Sequence, residues 1–359
     1  MAEFLIVTGT RPEAIKLAPV IIALRASSLA VRVIDSGQHG PGVAEALGWF
    51  GLAADMTLEA PAGGNLGERT GHLVTAASRA VADAKPTAVI VQGDTATALA
   101  GALAAYYAEV PVGHVEAGLT SSSWQPFPEE ANRQIISLVA SACWAPTARA
   151  AALLVRRGKE NVLCTGNTAV DALRMLGVSG RLPSPLADEI HSRSHRLLLA
   201  TCHRRESWGT AYELILHALL DCVRRVPDLE LVFAMHPNPD LQRRAIYVLA
   251  GQPRVHLLPP LSYPDFVLLE RDADVIATDS GGVQEEAVTL GVRAVVLRDV
   301  TERPEPVELG LCELAGRRPE TIVRAVLAAL EAGRCQPSSL FGDGHAADRI
   351  ADHVRRLWV

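Results

Sequence analysis

Aromatic side chains make up only 4% of the 359 residues, lysine is scarce, and no apolar run approaches the length of a membrane span. Each scarcity closes off a class of protein. The longest weakly polar stretch, Ala96 to Tyr107, falls short of the roughly 20 residues a bilayer helix requires. A formal net charge of −6 with no lysine or arginine block leaves no electrostatic footprint for nucleic acid. The six cysteines, Cys143, Cys164, Cys202, Cys222, Cys312 and Cys335, stand singly and form no CxxC pair. They suit neither a zinc site nor a disulfide framework, so a reducing cytoplasm is the expected compartment. The opening MAEFLIVTGT has an early acid and too short an apolar run for a signal peptide. Small molecules are therefore the expected partners, with no metal, cofactor, nucleic acid or membrane.

What the sequence does have is rhythm. Short β-rich runs alternate with helical ones: FLIVTG before IKLAPVIIALRA, AVIVQGD before TATALAGALAAYYA, VPVGHVEA before PEEANRQIISLVA, and CWAPT before ARAAALLVRRG. Continuous apolar strands separated by amphipathic helices predict a parallel sheet covered on both faces. The stretch VSGRLPSPLADEIHSRSH breaks the pattern with serine, proline and charge and reads as a connector. The alternation then restarts with LLLATCH, LELVFAMHP, RVHLLPPL, DVIATDSGG and RAVVLRD as strands. Two doubly wound halves predict a cleft between domains where a ligand sits.

The chemistry-bearing residues cluster at the predicted strand ends. In GTRPEAIK, Gly9 allows a tight turn, Pro12 suits a first helical position, and Arg11 and Lys16 flank the helix start. This is an anion-binding arrangement, and it reads equally as a solvated helix terminus. In TDSGGVQEEA, Ser280, Gly281 and Gly282 open a helix whose first N–H groups suit a diphosphate, while Glu285 and Glu286 either act there or complement the helix dipole. Three acids, Asp94 in VQGDT, Glu116 in GHVEAG and Glu129 in PFPEEANRQ, lie at or just past strand ends of one sheet. Asp94 is also a candidate helix N-cap. Glu130 reads better as a first-turn helix acid beside Asn132 and Arg133. Glu116 follows the apolar run VPVGHV, where a carboxylate is costly to bury without a partner or a purpose. In TCHRRES, His203 beside Arg204 and Arg205 suggests a phosphate neighbourhood, while His236 in MHPNP either serves the site or caps its turn.

Taken together, GTRPEAIKLAP, QGDT, GHVEAGL, PFPEEANRQ, TGNTAVDAL, CHRRES, HPNP, TDSGGVQEEA and VLRDVTERPE resemble the non-hydrolysing UDP-N-acetylglucosamine 2-epimerases, in the family order. The resemblance implies a GT-B-like α/β fold of two Rossmann-type doubly wound parallel-sheet domains with the active site in the interdomain cleft. It implies domains at 1–175 and 176–344, a final helix at 345–359 packing back on the first domain, and a homodimer. The implied reaction interconverts UDP-GlcNAc and UDP-ManNAc through loss of UDP to a 2-acetamidoglucal and its re-addition. Asp94, Glu116 and Glu129 would handle protons, and Arg11, Lys16 and His203 would stabilise the departing diphosphate. Ser280, Gly281, Gly282 and Glu286 would hold UDP and its ribose, Phe266 would stack on uracil, and His236 would meet phosphate or close the site.

Two departures stand out. Thr120 replaces an arginine common in GHVEAGLR, and Gly40, Pro41 and Gly42 follow Gln38 and His39 where a basic residue is usual. The second change puts in question activation by a second UDP-GlcNAc. A hydrolysing 2-epimerase, a GT-B glycosyltransferase and a silent sugar-nucleotide sensor are the competing readings. The product's destination, surface polysaccharide or an amino-sugar antibiotic, is left open.

Overall fold

The computed structural model describes residues 3–38, 40–59, 64–177 and 195–359. His39 and residues 178–194 of the connector expected at 178–195 lie outside these residues. The chain divides into two compact units, Met1–Leu176 with Phe341–Val359, and Gly177–Leu340.

In the first unit, apolar runs form β1 (Glu3–Thr8), β2 (Ala30–Asp35), β3 (Met56–Thr57), β4 (Ala88–Gln92), β5 (Val112–Val115), β6 (Ala142–Ala145) and β7 (Val162–Cys164). Between them run α1 (Arg11–Ala26), α2 (Pro41–Gly48), α3 (Leu66–Ala84), α4 (Ala96–Tyr107), α5 (Glu129–Val139), α6 (Ala148–Arg156) and α7 (Thr168–Met175). The sheet order is β3-β2-β1-β4-β5-β6-β7, with every pairing parallel. Helix starts follow local capping chemistry: Thr10 caps α1, Thr95 caps α4, and Asn65 with Glu68 forms a capping box on α3.

The second unit repeats the design with β8 (Arg196–Thr201), β9 (Leu229–Ala234), β10 (Val255–Leu258), β11 (Val275–Thr278), β12 (Arg293–Val296) and β13 (Cys312–Leu314), in the order β10-β9-β8-β11-β12-β13, again all parallel. Its helices are α8 (Thr210–Arg225), α9 (Pro239–Leu249), α10 (Tyr263–Asp272), α11 (Gly281–Leu290), α12 (Pro304–Glu308) and α13 (Pro319–Ala332). Alternate residues of β8 enter different apolar clusters: Leu198 and Ala200 join one, Leu197 and Leu199 the other. A strand buried on both faces has no polar alternation, which explains the continuous LLLA run.

Reading along the sequence places no elements after RAVVLRD and before the final helix, yet β13, α12 and α13 are there. The α13 signal was present in Pro319 at its start and buried Ile322, Val323, Ala325, Val326 and Leu330 along it. The two-residue β3 and three-residue β13 are too short for periodicity to reveal.

The last helix, α14 (Ala346–Trp358), belongs to the first unit. Asp171 of α7 accepts the N–H groups of Ala346 (3.2 Å) and Ala347 (2.8 Å), supplying from another element the cap that α14's own N-terminal residue does not. At the other end Trp358 packs edge-on against Trp144, whose indole N–H donates to His353 Nδ1 at 3.0 Å.

In both sheets the chain starts in the middle and winds outward in both directions, so the order reverses between β1 and β4 and between β8 and β11. Ligands bind open α/β sheets outside the strand carboxyl ends at such reversals. The first reversal is tightly packed at Gly9. A Cβ there would lie 2.1 Å from Thr97 Oγ1 and 2.2 Å from Ser36 Oγ, hydroxyls that hydrogen-bond each other at 2.7 Å. Gly9→Ala is expected to lower stability by about 1–3 kcal/mol, as overpacked sites do. Gly71→Ala, inside α3 with nothing within 4 Å of the added atom, should be neutral or stabilising. Calorimetric melting of both variants checks the contrast.

Candidate active site

Sequence-distant residues converge at the carboxyl edge of the first sheet. Glu116 follows β5 with a φ of 65°, the left-handed region that a non-glycine residue rarely enters. Its carboxylate forms an ion pair with Lys16 of α1, both side chains less than a tenth exposed, and accepts the Asn167 amide at 3.1 Å. Asn167 also caps α7 through Oδ1 to the Ala169 N–H at 2.9 Å. The acid that was costly to bury therefore has a cation and an amide as partners.

Asp94, past the end of β4, does not cap α4, because Thr95 does. The N-cap alternative falls, and Asp94 instead pairs with Arg133 of α5, whose Nε donates to Oδ2 at 3.1 Å. Asn132 reinforces the junction by donating to the Asp94 carbonyl at 2.8 Å. Glu130 is the first-turn acid of α5 beside Arg133, as expected. It is also a fully buried hub, which its place in the first turn did not reveal. It accepts the Thr120 hydroxyl at 2.5 Å, the Ser121 N–H at 3.1 Å, the Gln134 amide at 2.9 Å and Arg133 Nη1 at 2.5 Å. Burial alone would raise its pKa; the Thr120, Gln134 and Ser121 bonds and the Arg133 charge outweigh it and hold the carboxyl below its ordinary value. Thr120, standing where the resemblance leads one to expect arginine, is thus a donor to Glu130. Glu129, the first residue of α5, is partly exposed beside this hub.

His114, two residues before Glu116, is fully buried. Its Nε2 donates to the Gly93 carbonyl at 2.8 Å and its Nδ1 accepts from Ser137 at 3.2 Å. Burial pushes its pKa down to about 4, so it is a neutral strut. Arg11 lies 4.7 Å from the centroid of the Trp49 ring, at the end of α2, the helix that Pro41 begins.

At the carboxyl edge of the second sheet, buried Asp279 organises the turn after β8. It accepts the N–H groups of His203 (3.0 Å) and Arg204 (2.9 Å) and the Ser207 hydroxyl (3.1 Å). Burial opposes its charge, yet His203 and these N–H groups hold its pKa below the ordinary value. The His203 ring stacks on His236 with centroids 6.2 Å apart and planes 13° apart. His236 Nδ1 accepts the Asn238 N–H at 3.0 Å, so this histidine does cap its turn.

Ser280 stands at the N-cap position of α11 without its hydroxyl closing the first turn. A Cβ on Gly281 would lie 2.5 Å from Arg303 Nη1, so the guanidinium fills the space under the turn and an added methyl would have to displace it. Gly282 follows as the second residue of α11. Arg303 Nε donates to buried Glu285 at 2.6 Å, and Tyr263 donates its hydroxyl to buried Glu286 at 2.5 Å. Neither acid is a solvent-facing dipole partner. Arg298, completely buried, holds Glu302 through two bonds of 2.9 and 3.2 Å and reaches Glu206 at 3.1 Å. Phe266 of α10 is partly exposed and packs against the apolar cluster beneath it.

Sequence reasoning passed over Glu13, Asn167, Asp279, Arg298 and Arg303 as partners. The signals were faint: Asp279 sits between a strand end and Ser280, and Arg303 lies inside the quoted TERPE. Among the described residues, no group of three or more histidines, cysteines or acids is arranged to hold a metal ion.

Two Rossmann-type units, each with its polar residues gathered at the reversal of a parallel sheet, define an α/β protein of the GT-B-like class. The sequence profile of the UDP-N-acetylglucosamine 2-epimerases matches residues 22–355, and the chain belongs to that family. It is 38% identical to the UDP-N-acetylglucosamine 2-epimerase of Bacillus subtilis, covering 97% of this chain and 93% of that protein. The crystal structure of the Neisseria meningitidis UDP-GlcNAc 2-epimerase bound to UDP-GlcNAc superposes with a TM-score of 0.90 at 32% identity, over 99% of this chain and all of the other. The Methanocaldococcus jannaschii enzyme in complex with UDP-GlcNAc and UDP gives 0.89 at 33% identity, with the same coverage. No helix among the described residues is long and apolar enough to cross a membrane.

The Glu130 hub yields a stability test. Glu130→Gln keeps the shape but leaves Arg133 and four further donor atoms short of a charge, so it should destabilise by about 2–4 kcal/mol. A melting temperature within error of wild type would contradict the hub.

Proposed function

We propose that the protein is a non-hydrolysing UDP-N-acetylglucosamine 2-epimerase that interconverts UDP-GlcNAc and UDP-ManNAc by elimination and re-addition of UDP. The observation that carries this reading is the set of carboxylates at one sheet edge, Asp94 tied to Arg133 and Glu116 tied to Lys16 with Glu129 on the adjoining helix, in a chain matched almost throughout by the family.

The C2 proton of the sugar is weakly acidic, so its removal needs a carboxylate held in place and shielded from water. In the first half-reaction one acid takes that proton, the C2–H electron pair becomes the C1=C2 bond, and the C1–O bond breaks with its electrons leaving on UDP. In the second, a UDP oxygen re-forms the bond to C1 while an acid on the opposite face delivers a proton to C2. Asp94, Glu116 and Glu129 are assigned to these transfers. Arg11, Lys16 and His203 balance charge on the departing diphosphate. Ser280, Gly281 and Gly282 hold the diphosphate at the start of α11, Glu286 takes the ribose, and Phe266 the uracil. His236, stacked on His203, supports the phosphate end. Retention of UDP at a helix terminus favours re-addition over release, which is what separates this reading from the hydrolysing one.

A homodimer is part of the proposal, supported by the exposed Tyr107 of α4 and Ile135 and Leu138 of α5, apolar residues on two adjoining helices. Light scattering should return twice the chain mass, and Leu138→Glu should reduce it; a monomeric wild type would remove this part.

Two measurements test the chemistry. Purified protein with UDP-GlcNAc in deuterium oxide should yield C2-deuterated UDP-ManNAc without any acceptor, followed by proton NMR. A protonated C2 after turnover would refute the mechanism, and free N-acetylmannosamine formed in step with UDP would assign the protein to the hydrolysing class. Glu116→Gln or Glu129→Gln should lower turnover by about 100-fold or more with UDP binding little changed. Near-normal turnover in both would remove their assigned roles.

A further inference from the structure

Glu13 belongs to no role assigned so far, and its surroundings are unusual. It lies in the first turn of α1 and is 1% exposed. Its two carboxyl oxygens reach different segments: Oε2 accepts the Gly9 N–H of the loop after β1 at 3.1 Å, and Oε1 accepts the Thr95 hydroxyl of the loop after β4 at 2.6 Å. Those loops flank the reversal of the sheet. The first carries Arg11 onward into α1, and the second carries Asp94. Thr95 is held twice, because its Oγ1 also accepts the Ala98 N–H at 3.0 Å as the cap of α4.

We propose that Glu13 is a positioning residue whose ionised carboxylate ties the β1 loop to the β4 loop and so keeps Arg11 and Asp94 in register. This rests on the epimerase reading of the same site. Only the carboxylate accepts from both donors at once and so makes this two-acceptor clamp; a protonated Oε1 keeps the Thr95 contact only by reversing it, donating to an Oγ1 that already accepts the Ala98 N–H and leaving the Thr95 hydroxyl hydrogen without its acceptor.

The charged groups on the elements around it are engaged elsewhere. On its own helix Lys16 pairs with Glu116, and Arg11 lies over Trp49 with Glu45 of α2 as a charge neighbour. At the end of β2 Asp35 accepts the Gly37 N–H, past β4 Asp94 pairs with Arg133, and on α7 Asp171 caps α14. Burial raises the Glu13 pKa to about 7, against the pull of the Thr95, Thr10 and Gly9 bonds. The folded protein therefore holds a proton that the unfolded chain releases above its ordinary value. That stabilising term is complete below the ordinary value and is lost as pH rises through about 7. The clamp behaves oppositely, forming as the carboxylate appears.

The test is the pH profile of kcat/KM for wild type, Glu13→Gln and Thr95→Ala. Wild type should lose activity as pH falls through about 7. Glu13→Gln should show about tenfold lower kcat with KM little changed, and that acid inflection should vanish, an outcome that merely weakened folding does not give. Thr95→Ala removes a bond that favours the carboxylate, so the inflection should move to higher pH. An acid inflection unchanged in both variants overturns the proposal, and if Glu13→Gln does not fold, the direction of the Thr95→Ala shift decides it. If wild type exchanges no C2 proton at all, the epimerase reading falls. The clamp is then read from hydrogen exchange by mass spectrometry in the peptide containing Gly9: protected above pH 7 and exposed in either variant if it exists, indifferent to pH and substitution if it does not.

Discussion

A strand-helix-strand crossover between parallel strands is right-handed, so a sheet that starts in its middle and winds outward both ways must part its connections where the two windings meet. Most of what is particular to this protein sits at that parting, once in each unit. The loops after β1 and β4 diverge there in the first, and those after β8 and β11 in the second. The opening is fixed by backbone topology before any side chain is chosen. The side chains then have to hold diverging loops still, and buried carboxylates do much of that work.

The two units solve this problem in the same way with different residues. In the second, Asp279 gathers the N–H groups of the 203–204 turn, and the 298–303 segment sends Arg298 to Glu206 and Glu302 and Arg303 to Glu285. Motifs nearly a hundred residues apart are thereby joined into one rigid edge. A buried ion pair contributes little net stability relative to an apolar substitute, because desolvation offsets the Coulomb gain. Here each pair fixes where a loop lies, and the Gly281 turn rests directly on the Arg303 guanidinium.

The neighbouring acids Glu129 and Glu130 show how one turn of helix divides labour. A single residue's advance rotates a helical side chain by about a quarter turn. Glu130 is turned inward to five donor atoms contributed by Thr120, Ser121, Arg133 and Gln134, while Glu129 stays partly exposed. Glu130 anchors the loop that begins at Thr120 and orients Arg133 toward Asp94. The inward acid is thus the scaffold on which the outward one is presented.

The sequence by itself determined the class of architecture. Runs such as AVIVQ and LELVFA carry no polar alternation, so they had to be strands buried on both faces, and the helices between them made the sheets parallel. It also placed the acids and the glycine turns at strand ends, because strand boundaries are local and glycine marks them. Which acid met which cation was decided only by tertiary structure. Lys16 and Glu116 are 100 residues apart, and Asp94 and Arg133 are 39 apart. Local pattern assigned Asp94 a possible capping role, which failed, and placed Glu130 in the first turn beside Arg133, which held, but it did not show that Glu130 is buried. Capping and solvation are judged from neighbours in the chain, whereas a buried carboxylate takes its partners from whichever strands and helices the sheet order brings beside it.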